Sequence, residues 1–164
     1  MKTNKRNISR VKCMINGKVK TFATHPMTRL LDALREMPDY KGAKEGCGEG
    51  ECGACSIILE GKLVNSCLIP VAQVQGKQIK TIEGIAKKGK LHPVQEAFLE
   101  RGGAQCGICT PGMIVATVSL LEKYPKATQK QSREWLAGNL CRCTGYTHIL
   151  DSVRQAQKNL RGKN

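Results

Sequence analysis

Cysteine is the residue type through which this sequence could do chemistry, because nine thiols are spread unevenly over its 164 residues. Eight of them form two groups, and one stands alone near the N-terminus. The first ten residues are basic, but the apolar stretch after them is too short for a signal peptide, so we expect a cytoplasmic location. Because the cytosol keeps thiols reduced, closely spaced cysteines indicate a bound metal and not a disulfide framework. The nine are Cys13, Cys47, Cys52, Cys55, Cys67, Cys106, Cys109, Cys141 and Cys143.

The first group has the spacing C-x4-C-x2-C, and its fourth cysteine comes after eleven further residues. This is the spacing of a plant-type [2Fe–2S] loop, in which four thiolates bind two bridged iron ions. Five glycines within residues 42–53 fit such a loop, because glycine allows unusual φ angles and close approach of the backbone to sulfur. Structural zinc is the alternative, but the C-x4-C step and the isolated fourth cysteine fit zinc poorly. The predicted ligands of this first site are Cys47, Cys52, Cys55 and Cys67.

The second group combines a C-x2-C pair with a distant C-x-C pair. By spacing alone, this pattern is as compatible with zinc as with an iron–sulfur cluster. Each pair precedes a predicted helix, so the positive ends of two helix dipoles would point toward an anionic cluster. The predicted ligands of this second site are Cys106, Cys109, Cys141 and Cys143.

The ninth cysteine and the histidines are not expected to bind metal. Cys13 alternates with Val11 and Ile15 on one face of a predicted strand, which indicates a core residue. The histidines are scattered and do not pair at the spacing of a Rieske centre, so we expect them at the surface or at helix caps. They are His25, His92 and His148.

The hydrophobic pattern predicts an α+β first domain over residues 1–82. Two strands flanking Gly17 predict a β-hairpin, and Thr28 is a suitable N-cap for a short helix with leucines on one face. Residues 83–90 are polar and contain glycine, which is typical of a linker. The predicted strands cover residues 11–16, 18–24, 56–60 and 78–82.

Beyond the linker the pattern becomes helical, which predicts a four-helix bundle over residues 91–164. Pro93 opens the first helix, and Thr110 with Pro111 forms a suitable N-cap and first position for the second. The second helix is apolar almost all round and should therefore be central. Residues 132–140 predict the third helix. The last helix carries an apolar stripe made of Ile149, Val153, Ala156 and Leu160.

Charge and composition limit the partners that this chain could have. The formal net charge is +14, but only 4% of the residues are aromatic, which leaves few platforms for stacking bases. We therefore expect no nucleic acid partner, and a basic surface complementary to an acidic protein instead. No apolar run approaches the length of a membrane-spanning helix, so no membrane partner is expected. The sequence shows no dinucleotide fingerprint and no catalytic base.

Three motifs together carry a resemblance to a known family. They are GCGEGECGAC at residues 46–55, QCGICTPG at residues 105–112 and NLCRCTGY at residues 139–146. With this order of domains, the chain resembles the small [2Fe–2S] iron–sulfur subunit of the molybdenum hydroxylases. That family includes xanthine dehydrogenase, aldehyde oxidase, nicotinate dehydrogenase and carbon monoxide dehydrogenase, and the resemblance covers roughly residues 10–160.

The resemblance implies a plant-ferredoxin-like β-grasp domain followed by a four-helix [2Fe–2S]-binding bundle. It implies that the second site also holds a [2Fe–2S] cluster, and that Gln105 and Cys143 contact the pterin of a molybdopterin cofactor in a large subunit. The first cluster would face FAD in a medium subunit, within a heterotrimer or a dimer of heterotrimers. The chain itself would contribute no catalytic residue and would relay electrons from molybdenum to FAD.

The overall character of the sequence favours a purine, another N-heterocycle or an aldehyde over carbon monoxide as the substrate of the complex. The alternatives are a carbon monoxide dehydrogenase small subunit and a free-standing two-cluster ferredoxin. Free ferredoxins that dock by charge are usually acidic and need no second cluster domain. A zinc-bearing regulatory or nucleic-acid module is the remaining interpretation, and it predicts a colourless protein instead of a brown one.

Overall fold

The structure of the chain is a computed structural model that describes residues 7–162. Residues 1–6, part of the stretch considered for an export signal, and residues 163–164 lie outside the described residues. No helix within residues 7–162 is long and apolar enough to cross a membrane.

The predicted hairpin opens the fold. Strand β1 (Ser9–Ile15) pairs antiparallel with β2 (Lys18–Thr24). The turn residues Asn16 and Gly17 both have positive φ, 51° and 79°. Two such residues form a type I′ turn, whose twist matches that of the strands and for which Asn-Gly is a preferred sequence.

A five-stranded mixed sheet grows from this hairpin. Strands β3 (Ser56–Leu59) and β4 (Lys62–Asn65) form a second antiparallel pair, and β5 (Gln78–Lys80) lies between the two pairs. β5 runs parallel to β1 and antiparallel to β3, which gives the order β2-β1-β5-β3-β4. Helix α1 (Leu30–Glu36) joins the first hairpin to the segment before β3. This α+β arrangement confirms the predicted β-grasp class.

One face of the sheet and one face of α1 form the first core. Cys13 lies in this core and is 3% exposed, as its alternation with apolar neighbours predicts. Leu30, Leu31 and Leu34 of α1 are fully buried against the sheet. Burial raises the pKa of the Cys13 thiol to about 11, because an apolar surrounding disfavours the thiolate.

We expect Cys13 to resist alkylation by iodoacetamide at pH 8 in the folded protein and to react fully after unfolding. The thiolate is the nucleophile, and it forms only as the pH rises toward the raised pKa. Mass spectrometry of peptides from labelled samples would measure this. Rapid labelling of folded protein at pH 8 would contradict the buried position.

The second part of the chain contains the four predicted helices. They are α2 (Pro93–Glu100), α3 (Thr110–Lys123), α4 (Gln129–Leu136) and α5 (Thr147–Arg161). α3 is the central helix and is buried on nearly every side from Gly112 to Leu121, as its apolar sequence predicts.

Four predicted helix boundaries differ from the structure. α4 begins at Gln129, because Thr128 and Gln131 form a capping box there. It ends at Leu136, so residues 137–140 are not helical. The N-cap of α3 is Cys109 and not Thr110, and the N-cap of α1 is the residue after Thr28.

The face of the sheet that does not contribute to the first core packs directly on the helices. Ile58 of β3 is buried in the helical core, and Leu63 and Ile82 pack against that core. Within the predicted linker, Ile85 is 3% exposed and belongs to the same core. The division into residues 1–82, 83–90 and 91–164 stays a prediction, and the two parts share one apolar boundary.

Candidate iron–sulfur centres

The loop of the first site lies between α1 and β3 and is shaped by glycine. At Gly46, a Cβ atom would lie 2.7 Å from the Cys52 Sγ, so only glycine allows this sulfur to approach the backbone. The Cys47 amide donates a hydrogen bond to that sulfur over 3.3 Å. The glycine-rich sequence therefore brings backbone donors to the thiols, as expected.

Backbone hydrogen-bond donors surround the sulfur of Cys47. Its Sγ accepts backbone N–H groups from Glu49, Glu51 and Cys52, each over 3.4 Å. These hydrogen bonds lower the pKa of Cys47 to about 6, because they favour the thiolate over the thiol. A thiolate stabilised in this way is ready to bind iron.

The other two cysteines of the first site form a buried pair. Cys55 and Cys67 lie within hydrogen-bonding contact of each other, and both are buried. Burial, and then the contact with Cys55, raises the pKa of Cys67 to about 11. Ser66 anchors the pair, because its backbone N–H and its hydroxyl both donate to the Cys55 carbonyl, over 3.3 and 2.8 Å.

The second site repeats this division into pairs. Cys106 and Cys143 are exposed and in contact with each other, whereas Cys109 and Cys141 are in contact and partly buried. Hydrogen bonds, first from the backbone of Ile108 and then from Cys143, lower the pKa of Cys106. Burial, and then the contact with Cys141, raises the pKa of Cys109 to about 12.

Two side chains orient Cys141. The Thr144 hydroxyl donates to the Cys141 Sγ over 3.2 Å. The backbone N–H of Cys141 donates to the Tyr146 hydroxyl over 2.9 Å. Tyr146 has a positive φ of 67° and is the N-cap of α5, so this hydrogen bond connects the start of α5 with the loop that carries Cys141.

Each site therefore has an outer pair nearer to solvent and an inner pair nearer to the core. The outer pairs are Cys47–Cys52 and Cys106–Cys143, and the inner pairs are Cys55–Cys67 and Cys109–Cys141. A [2Fe–2S] cluster needs two thiolates on each of two irons, whereas structural zinc needs four ligands around one ion. The paired thiols thus fit a [2Fe–2S] cluster at both sites.

The raised pKa values of Cys67 and Cys109 also fit a metal cluster. A buried thiol with a raised pKa ionises when a cation compensates the thiolate, and ferric iron supplies that charge. In addition, the Thr110 Oγ1, next to Cys109, is buried and without a hydrogen-bond partner among the described residues. The sequence indicated Thr110 as a helix cap, a role that the structure does not give it.

The two residues that are predicted to contact the pterin are exposed and lie at the outer pair of the second site. Gln105 and Cys143 are both exposed, and Gln105 immediately precedes the outer-pair partner of Cys143. Contact of these two residues with a pterin stays a prediction.

Large exposed apolar side chains flank the ligand positions, and the sequence analysis did not single them out. Leu68, Ile108 and Leu140 are 59%, 49% and 52% exposed, and each is next to a predicted ligand. The spacing of the cysteines does not show that their apolar neighbours are exposed. Exposed apolar side chains often mark contact surfaces.

A β-grasp domain with one four-cysteine loop, followed by a helical bundle with a second four-cysteine set, defines a protein with two iron–sulfur domains. A family model described as a 2Fe-2S iron-sulfur cluster binding domain matches residues 13–80, and one described as a [2Fe-2S] binding domain matches residues 81–154. On these matches and the relatives below, the chain belongs to the family of iron–sulfur subunits of the molybdenum hydroxylases.

Three relatives illustrate the similarity. The chain is 46% identical to the nicotinate dehydrogenase small FeS protein of Eubacterium barkeri, over 87% of this chain and 90% of that one. It superimposes on quinoline 2-oxidoreductase from Pseudomonas putida 86 with a TM-score of 0.90 and 38% identity, covering 95% of this chain and 98% of that chain. It matches aldehyde oxidoreductase from Desulfovibrio desulfuricans ATCC 27774 with a TM-score of 0.90 and 38% identity, over 96% of this chain but 18% of that chain.

Proposed function

We propose that this chain is the electron-transfer subunit of a molybdopterin-dependent hydroxylase and relays electrons from the molybdenum centre to FAD. The observation that carries this proposal is the gathering of eight cysteines into two four-thiol sites, each divided into an outer and an inner pair. When bound, a [2Fe–2S] cluster accepts and releases one electron. The proposed ligands are Cys47, Cys52, Cys55 and Cys67 at the first site and Cys106, Cys109, Cys141 and Cys143 at the second.

The residues of this chain would hold the clusters and tune them. The backbone donors around Cys47 stabilise negative charge at the first site, which favours acceptance of an electron. At the second site, Thr144 donates to Cys141, and α3 begins directly after Cys109. These are binding and orienting roles, and we assign substrate chemistry to a partner chain.

The two outer pairs suggest which partner lies at each site. The exposed end that carries Gln105 and Cys143 would contact the pterin that a large partner chain holds. The half-exposed pair Cys47–Cys52 would face the FAD of a medium-sized partner chain. The exposed apolar side chains beside the ligands would be covered by these partners.

The comparisons support separate partner chains in the proposed assembly. This chain covers 90% of the E. barkeri protein and 98% of the quinoline 2-oxidoreductase chain, so in both relatives the equivalent portion is a small chain. In the D. desulfuricans aldehyde oxidoreductase the equivalent portion is 18% of one longer chain. We propose a heterotrimer, or a dimer of heterotrimers, with xanthine or another N-heterocycle as the favoured substrate class and an aldehyde as the second.

Anaerobic purification of the tagged chain from its own host tests the proposal. Two larger chains that carry molybdenum and FAD should copurify, and substrate should reduce the complex. An N-heterocycle, an aldehyde and carbon monoxide should be compared as reductants. Isolation of the chain without partners, with reversible reduction by unrelated reductases, would favour a free-standing ferredoxin and contradict the proposal.

We expect about four irons and about four labile sulfides per chain, because two four-cysteine sites would each hold one [2Fe–2S] cluster. Replacement of Cys52 by Ala should remove about half of the iron. Replacement of Cys13 by Ala should leave the iron content unchanged, because this thiol lies in the core. Metal and sulfide analysis of anaerobic material checks both, and substantial zinc would contradict the assignment.

A further inference from the structure

A buried amide joins the two cysteine sites. Asn139, in the loop between α4 and α5, is 3% exposed. Its Nδ2 donates to the Gly53 carbonyl over 2.9 Å and to the Ser56 Oγ over 3.1 Å. Gly53 and Ser56 lie on either side of Cys55, so a side chain of the helical bundle holds the ligand loop of the first site.

The neighbouring backbone strengthens this connection. The N–H of Leu140 donates to the carbonyl of Cys52 over 2.9 Å. Leu140 immediately precedes Cys141, so one hydrogen bond connects the main chain beside a second-site ligand with that of a first-site ligand. Asn139 and Leu140 thus bind two consecutive residues of the opposite loop.

The contact leaves no space for a side chain between the two loops. At Gly53, where φ is +66°, a Cβ atom would lie 2.4 Å from the Gly138 carbonyl oxygen and 2.5 Å from the Asn139 Nδ2. At Gly112, a Cβ atom would lie 2.2 Å from the Gly53 carbonyl oxygen, well inside van der Waals contact. Glycine at these two positions lets the first-site loop touch the α4–α5 loop and the start of α3, and its position relative to both is therefore well defined.

We infer that Asn139 is a positioning residue that sets the separation of the two cysteine sites and thereby the rate of electron transfer between them. This inference rests on the proposed electron-transfer function. The rate of electron transfer falls steeply with distance, so a small displacement of one loop would slow the transfer while each site keeps its four ligands. Buried groups locked by hydrogen bonds and packing supply this kind of precision.

The hydrogen bonds that the Asn139 amide donates, and not merely the volume of its side chain, should set the separation of the two sites. Asn139→Asp keeps the shape but replaces the donor with a carboxylate that faces the Gly53 carbonyl oxygen. Asn139→Ala removes donor and volume together. In both variants Gly53 keeps the Ser56 hydroxyl as a donor, over 2.8 Å, so the first loop retains an internal hydrogen bond.

The test uses the complete complex, purified anaerobically with its partner subunits. We expect Asn139→Asp and Asn139→Ala to retain full iron content and both paramagnetic signals. The magnetic coupling between the signals should weaken, and flavin reduction should slow severalfold, because the rate of electron transfer falls steeply with distance. Reduction of the second cluster by substrate should keep its rate. Asn159→Asp, on α5 and in contact with Gln155, is the matched control and should behave like the wild type.

A double-mutant cycle with Ser56→Ala keeps the inference falsifiable if one variant is unstable. Ser56→Ala removes one acceptor of Asn139 and the Ser56 donor to Gly53, but it spares the bond from Asn139 to Gly53. Because both side chains donate to the same Gly53 carbonyl, the effects of Ser56→Ala and Asn139→Ala should not be additive. Unchanged coupling and unchanged flavin reduction in Asn139→Asp would overturn the inference, and so would loss of iron. Flavin reduction that does not depend on Cys55 would instead overturn the proposed function, whatever the Asn139 variants show.

Discussion

Replacement of Cys55 by Ala should stop reduction of the flavin in the complex while the second cluster remains reducible by substrate. Cys55 is buried in the inner pair of the first site, in contact with Cys67. A cluster that lacks one of four thiolates is expected to be lost or strongly altered. Because the proposed route passes the second site first, only the later transfer should fail. Rapid mixing with substrate, followed by absorbance and paramagnetic resonance, measures both steps.

Replacement of Cys109 by Ala gives the complementary result. Cys109 belongs to the inner pair of the second site, so both the second-site signal and electron delivery from molybdenum should be lost. Cys13→Ala is the control, because that thiol is buried in the other core. A Cys55→Ala complex that reduced its flavin at the normal rate would show that the two sites do not act in series.

Replacement of Gly112 by Ala should destabilise the protein although it improves a helix. In an exposed helix, alanine is favoured over glycine by about 1 kcal/mol. Here the new Cβ would lie 2.2 Å from the Gly53 oxygen and 3.3 Å from the Ala54 Cα, which are backbone atoms with little room to move. We expect a net loss of about 1–3 kcal/mol, typical of an overpacked interior. Thermal unfolding of the anaerobic protein should show a melting temperature lower by roughly 2–4 °C for each kcal/mol lost.

Gly138 provides a matched control at the same boundary between sheet and helices. No atom lies within 4 Å of a Cβ built there, and the residue does not have positive φ, so Gly138→Ala should be tolerated. Equal stability of the Gly112→Ala and Gly138→Ala variants would show that the first-site loop separates easily from the start of α3. That result would also remove the physical basis for a defined spacing between the two sites.

The sequence alone determined the chemistry of the first site and the class of the fold. The C-x4-C-x2-C spacing around Cys47 identified a thiolate loop for iron, because three ligands of such a cluster lie within one short loop. The fourth ligand comes from a later segment of the chain. Alternation placed Cys13 in the core, and the helical period identified the buried α3. All of these features depend on short-range geometry, which repeats along the chain and can be deduced from spacing.

The tertiary structure decided how the parts meet. Spacing left the second site open between zinc and iron, and the pairing of Cys106 with Cys143 emerged only when distant loops came together. Ile58 is a second example, because it lies on a strand of the sheet and its side chain packs into the helical core. Asn139 reaches Gly53 across 86 positions of the chain. Such contacts depend on the docking of one element on another, and no local periodicity specifies that docking because its energy comes from surfaces far apart in sequence.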